Sequence, residues 1–227
     1  MQVQIVSDVV CPWCRIGKKN LQTAANQFTQ QTGEPIELSF LPYLLDPIMP
    51  EEEGESFRDR FVNRKGISED QMQQMFTRVT EVGKQFGLDY HFDRIEVAVN
   101  TMPAHELMEL APADKRVELM DALMTEYFEL GTNIGQPDEL LRIAEGVLGK
   151  DVTSELETSL RVQAMEPVVS AMIQQVQQAG IRSVPYTIID GKYAVNGGQP
   201  PQVFLGALMQ AWEANKSQRA TAEAVTE

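Results

Sequence analysis

Only two cysteines and two histidines occur in this 227-residue chain, and that scarcity excludes several kinds of chemistry. A disulfide-stapled scaffold needs several cysteine pairs, and a chain this long builds a core without staples. Zinc usually takes four protein ligands, or three with one open position. His91 and His105 stand too far apart for the H-x₃₋₅-H spacing of compact zinc modules, so no metal site is expected. Positive charge is also short. Lys and Arg number 19 against 33 Asp and Glu, a net −14, which argues against nucleic acid or an anionic membrane surface as partner. No apolar run approaches the ~18 residues of a membrane span. The first strand signal begins right after Met1 and leaves no place for a secretory signal, so the expected compartment is the cytoplasm. Internal repeats and low-complexity tracts are missing as well, and the length suits one large domain or one domain carrying an insertion.

What is present is concentrated near the start. Both cysteines stand three positions apart in Ser7-Asp8-Val9-Val10-Cys11-Pro12-Trp13-Cys14-Arg15-Ile16. They follow the β-branched run Val3, Ile5, Val6 and open a stretch that reads as helix. At i and i+3 two side chains on a helix are neighbours, close enough for a disulfide between a reactive thiol and its resolving partner. The first helical turn also offers unpaired N–H groups and a positive dipole end. A thiolate is stabilised there, and the thiolate is the form that attacks. Pro12 suits an early helical position, where its missing N–H is no loss. Inert apolar packing and zinc are the competing readings. The C-x-x-C spacing after a strand disfavours the first, and the ligand count disfavours the second. The pair reads as a redox-active dithiol.

The rest of the chain falls into three stretches. Residues 3–7 read as a buried strand, Pro12 to about Gln30 as a helix, and Ile36 to Leu41 as a second strand. Strand, helix and strand form a βαβ unit, so the two strands are expected to be parallel. A proline-punctuated exit, Pro42 to Pro50, leads to the acidic loop Glu51-Glu52-Glu53. From Ser56 to about Ala179 nearly everything reads as helix, with Ser56, Ser68 and Thr101 as N-caps and Gly66, Gly87 and Gly131 as stops. Leu88 to Phe92 reads as a short extended piece, and Asp114 to Leu130 as one amphipathic helix. The methionines of this block, among them Met72, Met108, Met120 and Met124, read as core filler. Strand signals return at Val184 to Ile189. Asp190-Gly191 is a hairpin turn pair, Lys192 to Val195 is the returning strand, and a last helix follows Pro200-Pro201.

With both halves in view, the chain resembles the thioredoxin superfamily, its DsbA-like branch, and within that branch the FrnE-like subgroup of cytoplasmic proteins. The residues that carry the resemblance are Asp8-Val9-Val10-Cys11-Pro12-Trp13-Cys14 with Ile16-Gly17-Lys18, Asn100-Thr101 with Ala104-His105, Tyr127-Phe128, and Gly180-Ile181-Arg182-Ser183-Val184-Pro185-Tyr186. The block Ile189 to Pro200 completes it. The resemblance implies an α/β, thioredoxin-like fold with a large all-helical domain inserted between the βαβ and ββα halves. The corresponding boundaries are 1–47 with 180–216 for the thioredoxin-like domain, 48–179 for the inserted helices, and 217–227 for a flexible tail.

The same resemblance implies that Cys11 is the exposed nucleophile, Cys14 the buried resolving thiol, and Pro185 a cis-proline facing them. Val184 would pair its backbone with a substrate chain, while Pro12 and Trp13 would line the site and tune its potential to an intermediate value. Relatives often bury a carboxylate in the first strand; here Ile5 stands six positions before Cys11. Asp8 is the nearest alternative proton acceptor, with an N-cap or Asx-turn as its structural reading. Asn100 and His105 are candidates around the site, His105 as a source of charge or a proton for Cys11 or as a hydrogen-bonded structural histidine. Arg15 and His91 read as surface residues, with Arg15 adding positive potential near the thiolate. No bound cofactor is expected beyond the redox-active disulfide, recycled by glutathione. The partner would be a thiol- or disulfide-containing protein or small molecule; the oligomeric state is open.

Two other readings compete. A glutathione-dependent isomerase or transferase of the kappa type shares the inserted helical architecture but typically lacks the second cysteine, so Cys14 argues against it. A non-catalytic holdase using a methionine-lined groove would keep its activity without Cys11.

Overall fold

The computed structural model describes residues 1–48 and 54–225, with backbone alone from residue 218 onward. The acidic run Glu51-Glu52-Glu53 and the Met49-Pro50 pair before it lie outside the described residues, as do Thr226 and Glu227. A sheet of four strands organises the chain in the order β2-β1-β3-β4. These are β1 (Gln2–Ser7), β2 (Glu37–Pro42), β3 (Tyr186–Ile189) and β4 (Tyr193–Asn196). β1 is internal to the sheet, and Val3, Ile5 and Val6 are all buried. It pairs parallel with β2, Val3 opposite Leu38 and Ile5 opposite Phe40. On its other side it pairs antiparallel with β3, Ile5 opposite Thr187.

The parallel β1–β2 pair needs a crossover, and α1 (Pro12–Thr32) supplies it. α1 ends at Gly33, whose left-handed φ of 74° lets its N–H return to the Thr29 carbonyl. α9 (Pro201–Val225), which reaches into the C-terminal tail, packs beside α1, with Phe28 and Trp212 meeting edge to face at 6.5 Å. β3 and β4 are joined at Asp190 and Gly191, both at positive φ (48° and 65°), as the sequence pair predicts. Asp190 also ties the hairpin to β1, its Oδ1 accepting the Gln2 N–H at 2.8 Å. A βαβ unit, a ββα unit and helices between them make a thioredoxin-like fold with an all-helical insertion.

The insertion comprises α2 (Phe57–Lys65), α3 (Glu69–Lys84), α4 (Met102–Leu110), α5 (Arg116–Thr125), α6 (Pro137–Leu148), α7 (Lys150–Arg161) and α8 (Glu166–Gln178). Ser56 accepts from the Asp59 N–H, and Ser68 with Gln71 forms a full capping box. Met72, Met108, Met120 and Met124 are buried in the core.

Leu88 to Phe92 joins no sheet; it runs into a 3₁₀ turn at Phe92–Arg94, with Tyr90 and Phe92 stacked in an aromatic cluster. Two expectations are corrected here. Asp114 to Leu130 is not one regular helix: a 3₁₀ turn at Ala113–Lys115 precedes α5, and the chain then widens into a π turn at Glu126–Leu130. Thr101 stands at the N-cap of α4 without a capping side-chain bond. Asn100 provides that bond instead, its Oδ1 accepting the Met102 N–H at 3.0 Å.

Candidate active site

Residues 8–11 turn the chain from β1 into α1. The Cys11 N–H donates to the Asp8 carbonyl at 3.1 Å, and the Cys11 carbonyl accepts the Cys14 N–H at 3.0 Å. Cys11 is the N-cap residue, extended at φ −92° and ψ 109°, with no capping bond from its side chain. Its sulfur therefore stands at the positive end of a 21-residue helix.

The C-terminal half of the fold meets this turn. The Val184–Pro185 peptide bond is cis, and the Val184 carbonyl oxygen lies 4.0 Å from Cys11 Sγ. Gly17 makes this approach possible: a Cβ there would stand 2.9 Å from Pro185 Cγ and 3.3 Å from Gly198 Cα. Side-chain and backbone bonds fasten the loop. Asn20 Nδ2 donates to the Gln199 carbonyl at 2.9 Å, and the Gly197 N–H donates to the Pro185 carbonyl at 2.8 Å. Trp13 is half-buried against the core, its carbonyl facing Gly198.

Cys11 is more enclosed than the family resemblance implies. It is 4% exposed and Cys14 is 0% exposed. The cause is the Val184–Pro185 loop, which comes down on the sulfur. Burial pushes the Cys14 thiol well above its ordinary pKa, and the adjoining Cys11 pushes it further; the nearby Ser7 hydroxyl and Asp8 backbone oppose the shift. Cys14 is thus held as a thiol, an arrangement suited to the buried resolving sulfur of the pair.

The candidates around this centre separate into two groups. Asp8 is fully buried, its Oδ2 accepting the Leu45 N–H at 2.7 Å and its Oδ1 lying 3.4 Å from His105 Nε2. His105 Nε2 also contacts the Tyr43 carbonyl at 3.1 Å, which fixes that nitrogen as the protonated one. His105 therefore faces Asp8 and the exit of β2. Asn100 caps α4 next to them. Asp8 and His105 face each other and hold the Leu45 and Tyr43 backbone after β2, while the Asn100 side chain bonds the start of its own helix.

Arg15 belongs to the second group, and its surface placement is corrected. Its side chain is buried, with Nη1 donating to the Asp89 carbonyl at 2.8 Å and Nη2 to Thr125 Oγ1 at 3.0 Å. Nη2 also forms a short ion pair with Glu129, and the guanidinium lies 5.5 Å from the Tyr90 ring centre. The Tyr90 hydroxyl donates to the Pro12 carbonyl at 2.9 Å, inside the cysteine motif. Burial raises the Tyr90 phenol's pKa, the Arg15 charge opposes this, and both thiols add to it. His91 is likewise half-buried, its N–H on the Phe128 carbonyl at 2.7 Å.

Sequence reasoning missed Tyr90, Glu129, Ser7 and the burial of Lys18. Lys18 Nζ, 2.6 Å from Asp121 Oδ1, sits on α1 four residues after Cys14, and burial lowers its pKa. That i+4 spacing from a buried cysteine was the available signal. Among the described residues no group of three or more His, Cys, Asp or Glu is placed to hold a metal ion. Among them, too, no helix is long and apolar enough to cross a membrane.

The chain matches the DSBA-like thioredoxin domain over residues 2–209. It belongs to the DsbA-like thioredoxin family. A probable DsbA oxidoreductase from Streptomyces coelicolor is 29% identical and superposes with a TM-score of 0.82, covering 94% of this chain and 90% of that one. The protein YwbO of Bacillus subtilis (strain 168), described as uncharacterized, is 26% identical over 211 residues, spanning 92% of this chain and 96% of YwbO. The cytosolic disulfide reductase DsbM from Pseudomonas aeruginosa shares the fold at 13% identity and a TM-score of 0.63, over 97% of this chain and all of DsbM, and is also known with GSH. In this DsbA-like chain the cysteine pair stands at the join of β1 and α1, beneath the loop that leads into β3.

Proposed function

We propose that this DsbA-like protein is a thiol–disulfide oxidoreductase in which Cys11 exchanges bonds with a protein or low-molecular-weight thiol and Cys14 resolves the mixed disulfide. The observation that carries the reading is Cys11 Sγ 4.0 Å from the Val184 carbonyl, above a wholly buried Cys14. In the oxidising direction a substrate thiolate attacks Cys11 of the Cys11–Cys14 disulfide, and Cys14 leaves with the electron pair. The raised pKa of Cys14 favours its uptake of a proton, which makes the expulsion hard to reverse. A second substrate thiol then displaces Cys11. In the reducing direction Cys11 attacks, and Cys14 gives up its proton to release the product.

The reading extends to an FrnE-like protein acting in the cytoplasm and recycled by glutathione, on the resemblance of its motifs and a fold shared with DsbM. Val184 offers its backbone to an extended substrate segment, with Pro185 beside it and Pro12 and Trp13 on the opposite rim. Asp8 and His105 act by holding the motif's loop to the backbone after β2, and Asn100 by capping the helix that carries His105. Pro12 gives no N–H to the thiolate and Trp13 adds no charge, so an intermediate potential follows. The test is turnover of glutathione disulfide with a reduced protein substrate. Wild type accelerates the exchange and Cys11→Ser falls to the uncatalysed rate; a Cys11→Ser variant as active as wild type would defeat the proposal.

A further inference from the structure

The ion pair between buried Arg15 and half-buried Glu129 joins the cysteine motif to the inserted helices, and neither residue is needed to form or break a sulfur–sulfur bond. We infer that this pair sets the redox potential of the dithiol, with Glu129 offsetting the positive charge that Arg15 would otherwise lend to the Cys11 thiolate. The inference rests on the thiol-exchange reading and adds a control element to the same site.

Position comes first. Arg15 lies in the first turn of α1, four residues after the N-cap Cys11, and its N–H donates to the Cys11 carbonyl at 3.3 Å. The guanidinium cannot swing into water, because the Asp89 carbonyl, Thr125 Oγ1, Glu129 and the Tyr90 ring hold it. Tyr90 in turn is fixed to the Pro12 carbonyl between the cysteines. The Arg15 side chain is 7% exposed and that of Glu129 31%, so their fields are screened far less than those of surface charges.

Glu129 owes its place to the widened turn at Glu126–Leu130, which also positions Tyr127 and Phe128 in the core. A π turn shifts every later side chain around the helix axis, and such turns gather at functional sites. The Tyr90–Phe92–Phe128 aromatic cluster, with rings 5.1 to 6.0 Å apart, keeps the two segments in register. The inserted helices thus deliver one carboxylate to one arginine beside the reactive turn.

The reaction that reads this out is the equilibrium with glutathione. Two protein thiols lose two electrons and two protons as the Cys11–Cys14 bond forms, and glutathione disulfide takes them up to become two glutathione thiols. Stabilising the Cys11 thiolate favours the reduced protein and makes it the stronger oxidant.

The experiment equilibrates the full chain, Glu129→Gln, Arg15→Gln and the double variant with glutathione buffers, then alkylates and weighs the products. Glu129→Gln frees the arginine charge and shifts the equilibrium about tenfold toward the reduced protein, a rise of about 30 mV for a two-electron couple. Arg15→Gln leaves the carboxylate alone and shifts it in the opposite direction. The double variant returns close to wild type, which a purely structural role would not produce. Shifts of one sign in both single variants, or no shift in Glu129→Gln, would overturn the inference. If Arg15→Gln does not fold, Arg15→Lys takes its place, and a potential unchanged from wild type is then required alongside the Glu129→Gln shift. A wild-type protein that never equilibrates with glutathione would instead refute the exchange reading itself.

Discussion

Replacing Gly17 with alanine tests whether the two halves of the site are held together by close approach. The added Cβ would stand 2.9 Å from Pro185 Cγ, 3.3 Å from Gly198 Cα and 3.5 Å from Pro185 Cβ. Carbon atoms pack best at about 3.5–4.0 Å, so the loop must withdraw by roughly half an ångström. It resists, because Asn20 and Gly197 tie it at both ends. Alanine gains about 0.8–1 kcal/mol of helix propensity over glycine, and overpacking costs about 1–3 kcal/mol. With a proline ring and a backbone carbon on the receiving side, the upper half of that range applies, for a net loss of about 1–2 kcal/mol. The Cys11–Val184 approach widens as well, and displacement on this scale slows a positioned reaction about tenfold. Urea unfolding and the rate of exchange with glutathione disulfide measure the two effects. Gly146→Ala is the control, since nothing lies within 4 Å of its added Cβ, and it should gain stability with exchange unchanged. A Gly17→Ala protein as stable as Gly146→Ala, exchanging at the wild-type rate, would refute the reasoning.

Further outcomes follow from the buried groups. Cys14 has a folded pKa raised above its unfolded value of about 8.5, so its stabilisation is complete below that pH and is lost as pH rises. The reduced protein should weaken by up to about 1.4 kcal/mol per pH unit above pH ~8.5. Denaturant melts of reduced wild type against Cys14→Ala check this; equal slopes would contradict it. Asp121→Asn leaves the Lys18 ammonium buried 2.6 Å from a neutral partner and should cost about 2–3 kcal/mol, with most of the loss restored by adding Lys18→Met. Gly83→Ala drives a Cβ into the Tyr90 ring and should cost about 2 kcal/mol, with a change in tyrosine fluorescence as the ring is displaced; no loss of stability would contradict that contact.

The parts of the fold legible in the sequence were those written in local pattern. The β-branched run Val3, Ile5, Val6 marks a buried strand, Ser68 reads as an N-cap, and Asp190-Gly191 spells a hairpin. Cys11-Pro12-Trp13-Cys14 carries its own helix start. What stayed hidden depends on partners remote in the chain. Arg15 looks like any exposed helix residue until Thr125 and Glu129, 110 and 114 positions away, enclose it. Glu129 reaches it only through a π turn that leaves no periodic trace. Tyr90 stood out only as part of a short extended piece, because local pattern does not show which ring will join an aromatic stack. The sequence left His105 between a role at the site and a structural one, and only the fold shows that it faces Asp8 and Tyr43.

The central claim is that Cys11 takes the substrate bond and Cys14 resolves it. Intact-mass analysis of Cys14→Ala after exposure to glutathione disulfide tests this most directly. The account predicts a single stable glutathione adduct, mapped to Cys11, while wild type passes through the adduct to an internal disulfide and retains none. An unmodified Cys14→Ala protein, or an adduct equally persistent on wild type, would contradict it.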